Sequence, residues 1–322
     1  MRWIVPSAAG GGYDTLSRLI EPFYEKALGV DIRIENISGA ATLVGAQALA
    51  RAEADGRTVG VLNAPAVLTM GMTSKENVPD LLEDFSILAR VMGSEQVLAT
   101  AGGSSLRSIE DVLAEAEKRP VLCGLTEVGG TNFVSIATTE RLLGLNLEYV
   151  TGYRSSAQVT LAALRGEVDL ICGTFSSRLD SIEQGDLRPV LQLTSAPISD
   201  HSSLEGVPLL GGPTGLAARR AETLGRDPDE AVALAQALDR VCGMGRVVAA
   251  PGGLSAEAYD RLEGGLSRAL SDPEFQRSAA RVGYPVRPVR GERARAELRD
   301  AVFGARRLAP VVNAALERVR NR

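Results

Sequence analysis

The sequence predicts an α/β protein built as two doubly wound lobes, and three observations carry that prediction. Short strand-like runs alternate with amphipathic helical stretches. The alternation starts afresh near Ser94. Aromatics are only 4% of the residues, so Ala, Leu and Val must fill the core, as in helix-rich α/β proteins. A length of 322 residues also exceeds one ordinary core and suits two lobes of roughly 150 residues each.

The first run opens with a strand at Trp3 to Pro6, followed by a helix whose Leu16, Leu19, Ile20, Phe23 and Ala27 share one face. Asp14 is expected to accept the first free amide protons of that helix, and Gly29 to end it. A strand at Asp31 to Glu35 and a helix from about Leu43 to Arg51 come next. Asp55-Gly56 then turns the chain into a third strand, Thr58 to Leu62. In the second run Gln96 to Ala101 is a strand, and Ser108-x-x-Asp111 reads as a capping box. Val121 to Leu125, Leu147 to Thr151 and Val168 to Cys172 are strands. Thr131 to about Leu143 and Ser155 to Arg165 are the helices between them. Asp227-Pro228-Asp229-Glu230 starts a helix reaching about Val241, Gly245 to Ala250 is a strand, and Ser255 and Asp272 cap two further helices. If that late strand returns to the first lobe, the chain crosses twice and makes a hinge. The lobes are then 1-100 plus 246-322, and 101-245 with its helical segment at about 227-241.

Net charge is −5, from 35 basic and 40 acidic residues, so no electrostatic footprint for nucleic acid is present. The Arg-rich stretch from Arg287 to Arg322 has helical spacing and reads as a solvated helix face. No apolar run approaches the roughly 18 residues that suggest a membrane span. Met1 stands directly before the first strand, a start that a removed export signal would also leave. Cys123, Cys172 and Cys242 lack metal-site spacing and read as buried thiols; in an exported protein one disulfide plus one free thiol stays open. No metal and no cofactor is expected.

The most informative stretch for chemistry is Ser7-Ala8-Ala9-Gly10-Gly11-Gly12-Tyr13-Asp14, between the first strand and the first helix. Consecutive glycines let backbone approach a ligand closely, and the helix behind them aims free amides and a positive dipole end at it. A tight turn needs the same glycines, and the stretch alone supports either reading. It is no dinucleotide fingerprint, since Thr15 stands where the third glycine belongs, and no Gly-Lys-Ser/Thr follows. The corresponding place in the second run is Thr126-Glu127-Val128-Gly129-Gly130-Thr131-Asn132, where Thr131 or Asn132 can cap the helix or donate to a ligand, capping being the expected role. Two such loops in separate lobes suit a common cleft, which Gly152-Tyr153-Arg154-Ser155 and Gly173-Thr174-Phe175-Ser176 would also line. Catalytic signals are weak. His201 reads as a solvated loop side chain, and no Gly-x-Ser-x-Gly elbow exists.

At these loops the sequence resembles the substrate-binding receptors of tripartite tricarboxylate transporters, the Bug family of periplasmic solute-binding proteins. The residues that carry the resemblance are Val5-Pro6, Ala9 through Thr15 with Arg18, Glu35-Asn36, Gly39-Ala40 and Asp55-Gly56-Arg57-Thr58. Later come Val150-Thr151-Gly152-Tyr153, Arg165 through Asp169, Ala250-Pro251-Gly252-Gly253 and Asp272 through Phe275. The resemblance implies a type II periplasmic binding protein fold, two lobes joined by a two-strand hinge with the ligand cleft between them. It implies a monomeric, periplasmic, non-enzymatic receptor that captures a small mono- or dicarboxylate and delivers it to membrane permease subunits. The family's binding mode carries over to Ser7, Ala8, Ala9, Gly10, Gly11, Gly12, Tyr13 and Asp14 as the carboxylate loop, with Asn63 and Ala64 as neighbours. Gly129, Gly130, Thr131, Asn132, Tyr153, Gly173, Thr174 and Phe175 are the expected contacts from the second lobe. Phe133-Val134 departs from the family, many of whose members have a histidine at that helix start. The alternatives are a cytoplasmic ligand-sensing domain and a phosphate-handling enzyme using the glycine loop. The second of these lacks a lysine beside the loop and an acidic metal pair.

Overall fold

A computed structural model describes residues 1–73, 77–153, 155–198, 201–284 and 286–321. The chain divides into two compact units, Met1–Gly93 with Gly243–Val302, and Ser94–Cys242 with Phe303–Arg322.

In the first unit β1 (Arg2–Val5) leads to α1 (Gly12–Leu28), β2 (Arg33–Asn36), α2 (Leu43–Ala50), β3 (Thr58–Asn63), α3 (Ala64–Thr73) and β4 (Phe85–Met92). The second unit follows with β5 (Gln96–Ala101), α4 (Ile109–Ala116), β6 (Val121–Gly124), α5 (Thr131–Leu143), β7 (Leu147–Val150) and α6 (Ser156–Leu164). It continues through β8 (Leu170–Thr174), α7 (Phe175–Glu183), β9 (Leu187–Gln192), α8 (Leu216–Thr223) and α9 (Pro228–Gly243). The chain then re-enters the first unit with β10 (Arg246–Pro251), α10 (Ala256–Ser271), α11 (Pro273–Arg281), β11 (Val289–Arg290) and the long α12 (Gly291–Arg320).

The two sheets share one plan. Their strand orders are β11-β4-β10-β3-β1-β2 and β7-β6-β8-β5-β9. In each, three parallel strands (β2-β1-β3 and β7-β6-β8) are followed by an antiparallel strand, β10 or β5, with which the chain enters that unit. Outside it lies a further antiparallel partner, β4 or β9. The sequence reading gave parallel runs and placed residues up to 100 in the first lobe. Its correction is that β5 pairs with β8 and β9 and belongs to the second sheet. A single strand's residues do not state its direction, because alternation and burial read the same either way.

Residues 303–322 likewise group with the second unit rather than the first. The passage at 302–303 runs through α12, adding to the two expected passages. Gly304 lets α12 approach α9 so closely that a Cβ there would lie 2.9 Å from the carbonyl oxygen of Ala237. Arg318 donates through Nη1 and Nη2 to both carboxylate oxygens of Glu140 at 2.9 and 2.7 Å. The arginine face of α12 is solvated as expected, while Ala305, Leu308, Val312, Ala315 and Leu316 form its buried side toward the end of the chain.

The buried stripe of α1 is Leu16, Ile20 and Tyr24, with Leu19 and Phe23 packed at its margin. Tyr24 meets Trp3 edge to face at 5.7 Å and donates to the Leu262 carbonyl at 2.9 Å, which satisfies its hydroxyl inside the core. Gly29 ends α1 in the left-handed conformation, as expected. Ser108, Ser255 and Asp272 cap α4, α10 and α11 as their sequences predict. Two of the helices that sequence missed, α3 and α7, start directly at strand ends; α3 is a nearly continuous apolar run whose helical period is masked by burial.

Candidate functional site

A strand order of β2-β1-β3 puts the topological switch point between β1 and β3, and the crevice outside the carboxyl ends of such strands is where open α/β sheets bind ligands. The glycine loop from Ser7 to Asp14 joins β1 to α1 at that place, and Asn63-Ala64 joins β3 to α3 beside it. In the second sheet the equivalent order is β7-β6-β8, which puts Gly129-Gly130 and Thr174-Phe175 at the equivalent places. The shared plan brings the expected residues to one edge within each unit.

In the first unit Gly10 takes φ +79°, a conformation that favours glycine, and its amide donates to Asp14 Oδ2 at 2.9 Å. Gly11 is the residue before the helix, and no side chain caps α1. The first-turn amides of Gly12, Tyr13 and Asp14 therefore have no side-chain acceptor. Asp14 does not accept them. It lies inside the first turn, 2% exposed, where Oδ2 accepts from Gly10 N and Arg18 Nε and Oδ1 from Asn36 Nδ2. The expected cap is a lock instead. Asn36 also donates to the Ser7 carbonyl at 2.9 Å, so both ends of the loop are tied to one buried carboxylate. The Arg18 guanidinium first of all, with the Gly10 amide and Asn36 assisting against desolvation, brings the Asp14 carboxyl down to about 2.

Arg246, absent from the sequence reading, completes this corner. It begins β10 and pairs in register with Asn63, because an antiparallel strand starts where its parallel neighbours end. Its guanidinium lies over the rings of Tyr13 and Tyr284, at 5.1 and 4.9 Å from their centroids, and Nη1 approaches Met92 Sδ at 3.2 Å. A Cβ on Gly12 would sit 3.0 Å from its Nη2 and 3.2 Å from the Tyr284 hydroxyl. Glycine at position 12 is thus what lets the cation reach the start of α1. No carboxylate among the described residues pairs with Arg246. Burial pushes the Tyr13 hydroxyl up to about 12, outweighing the opposing pull of Arg246, so Tyr13 brings no negative charge to the guanidinium at neutral pH. Asn63 and Ala64 are more structural: Asn63 Oδ1 accepts from Ala66 N at 3.3 Å, and the Ala64 amide donates to Gly245 O at 3.2 Å.

In the second unit Gly130 precedes α5, so Thr131 and Asn132 lie in its first turn and neither caps it. The glycine at position 129 has φ +91°. Glu127 folds against this start: a Cβ on Gly130 would lie 2.6 Å from Glu127 Oε1. Desolvation pushes that carboxyl upward. Here the loop's acid lies against the helix start, whereas Asp14 of the first loop lies inside the first turn and is held by Arg18 and Asn36. Thr174 Oγ1 accepts from Gln96 Nε2 at 3.0 Å, and Gln96, opposite Thr174 in the β5–β8 register, occupies the place that Arg246 holds in the first unit. Gly173 is buried against Arg178. Tyr153 is half-buried against the unit's core, and Arg154 lies outside the described residues. Phe175, expected as a ligand contact, is 7% exposed and lies within the core, edge-on to His201 at 5.8 Å. His201 is itself held, by Ser203 Oγ at 2.8 Å and Glu183 Oε1 at 3.2 Å, rather than freely solvated. All three cysteines are buried and free. Among the described residues no acidic, histidine or cysteine cluster suits a metal ion, and no helix is long and apolar enough to cross a membrane.

The family model described as "Tripartite tricarboxylate transporter family receptor" matches residues 16–199. The chain belongs to this family. It is a family of periplasmic solute-binding receptors, not of enzymes. BugT of Bordetella pertussis is 25% identical over 216 residues, a match spanning 66% of this chain and 66% of BugT, just under two thirds of that protein's length. A solved TctC solute-binding protein from Polaromonas superposes with a TM-score of 0.71 at 20% identity, covering 96% of this chain and 97% of that one. An R. palustris protein solved with adipate gives a TM-score of 0.71 at 19% identity, covering 97% of each chain. These likenesses establish the two-lobed periplasmic binding fold.

Proposed function

We propose that this receptor captures a small mono- or dicarboxylate and passes it to the membrane permease subunits of a tripartite tricarboxylate transporter. One acid group is held at the β1–α1 loop by the first-turn amides of α1 and by Arg246. The observation that carries the reading is the unpaired Arg246 beside an uncapped helix start at the β1/β3 switch point. Amide donors, a positive dipole end and a fixed guanidinium all favour an anion there. The Asp14 lock supports this, since it shapes the loop without spending the first-turn amides. The site thereby adds a guanidinium to the backbone amides that the glycine loop and the start of α1 offer. Binding would shift an open–closed equilibrium. The adipate in the R. palustris protein is a small carboxylate of the class proposed. In this reading the protein acts in the periplasm as a monomer.

A thermal-shift screen tests this. A ligand at one hundred times its dissociation constant stabilises the native state by about 2.7 kcal/mol. Organic acids should raise the melting temperature, while their amides and simple sugars should not. Stabilisation by sugars or amides with none by acids would overturn the assignment.

A further inference from the structure

Away from its strand-end edge, the second unit holds a cavity of about 730 Å³, a volume in the range of small-molecule sites. It lies among the last turns of α5, the first turns of α9 and the second half of α12, all within that unit. Since α5 starts behind the carboxyl end of β6, its last turns stand by the amino end of β7, at the far side of the sheet from the Gly129-Gly130 loop. The floor is apolar: Ala137, Leu142 and Leu145 are buried there, with Leu234 and Val311 half-buried beside them. Glu140, the buried acid of the lining, is already neutralised, because Arg318 donates to both its oxygens.

The rim carries cations without such partners. Arg226 donates through Nη1 to the Arg141 carbonyl, and Arg220 through Nε to the Leu143 carbonyl at 3.2 Å, so two guanidinium groups gather on the carboxyl end of α5 where Arg141 adds a third. None of the three forms an ion pair among the described residues, and burial first, then Arg141 and Arg220, lowers the pKa of Arg226. The carboxyl end of a helix offsets only about half a charge. The other acids of the lining, Asp227 and Glu230, belong to the positive start of α9: Asp227 Oδ1 accepts from Asp229 N at 2.9 Å, and Glu230 lies in the first turn. We infer that this cavity is a second ligand site, for an amphipathic anion that lays an alkyl chain on the apolar floor and puts its acid group at Arg226 and Arg141. Each methylene buried on the floor raises affinity up to about fourfold, and the guanidinium groups fix the orientation. The site is separate from the carboxylate loop of the first unit and does not depend on it.

The test is calorimetric titration of wild type, Arg226→Gln and Ala314→Trp with acetate, hexanoate, octanoate, decanoate and decanol. Ala314 lines the cavity from an exposed turn of α12, so tryptophan there fills the space without disturbing the core. Wild-type affinity should rise along the acid series, and decanol, lacking the charge, should bind about tenfold more weakly than decanoate. Decanoate affinity should fall about tenfold in Arg226→Gln and at least as much in Ala314→Trp. Hydrogen exchange of wild type should show decanoate protecting the last turns of α5 and the first turns of α9. No binding of decanoate to wild type, equal affinity in all three proteins, or protection confined to residues 7–14 overturns the inference while leaving the receptor reading intact. Should either variant fail to fold, the exchange pattern of wild type alone decides in the same way.

Discussion

Replacing Asp14 by Asn keeps the size of the side chain and removes its charge, which isolates what the lock contributes. Two carboxylate oxygens now accept from Gly10 N, Arg18 Nε and Asn36 Nδ2 at 2.9, 2.9 and 3.0 Å. An asparagine has one acceptor oxygen, so in either orientation its amide group meets a donor and at least one hydrogen bond is lost. A hydrogen bond to a charged group contributes about 1.5–3 kcal/mol, while Arg18, 52% exposed, adds only a few tenths as a surface pair. The expected destabilisation is about 2 kcal/mol, or roughly 4–8 °C in the melting temperature for a unit of this size. The sign of the pH dependence follows from the depressed carboxyl. Its stabilisation is complete above the ordinary value of 3.8 and is lost as pH falls through about 2. Urea denaturation followed by the fluorescence of Trp3, the sole tryptophan and buried in the first unit's core, reads both effects. Equal stability of the two proteins at pH 6, or a difference that persists undiminished below pH 2, would refute the role of Asp14.

Gly12→Ala places a methyl group against the Arg246 guanidinium and the Tyr284 hydroxyl. Carboxylate affinity should fall about tenfold, within what one charge-assisted hydrogen bond supplies, with thermal stability nearly unchanged; calorimetry showing wild-type affinity would remove Arg246 from the site. Arg318→Ala leaves Glu140, whose side chain is 7% exposed, with only the Tyr149 hydroxyl. Because Arg318 itself is largely exposed, the expected cost is about 1–2 kcal/mol, less than for a fully buried pair, and it should appear in the second unit's hydrogen exchange and not the first's. The three buried thiols, pushed well up by desolvation, Cys242 to about 12, should resist a thiol reagent in the native protein and react once it is unfolded.

Sequence revealed the features with local causes. The capping residues Ser108, Ser255 and Asp272, the stop at Gly29 and the strand-to-helix position of both glycine loops depend on a few neighbouring residues and stand where they were expected. Features set by long-range pairing were hidden. Arg246 reaches the loop at Gly12 only because β10 runs antiparallel beside β3, and Gln96 reaches Thr174 for the same reason. Asp14 at a helix start looked like a cap, but the turn at Gly10 and the distant Asn36 claim its oxygens. Phe175 follows a strand end, as a ligand contact would, yet α7 begins at that residue and turns its ring into the core. An apolar neighbourhood some residues away, invisible in the local string, decided that outcome.

A crystal structure with a bound dicarboxylate tests the central claim most directly. One acid group should lie about 2.7–3.1 Å from the amides of Gly12 to Asp14, within hydrogen-bond reach of Arg246. A ligand whose acid groups touch neither α1 nor Arg246 would contradict the account.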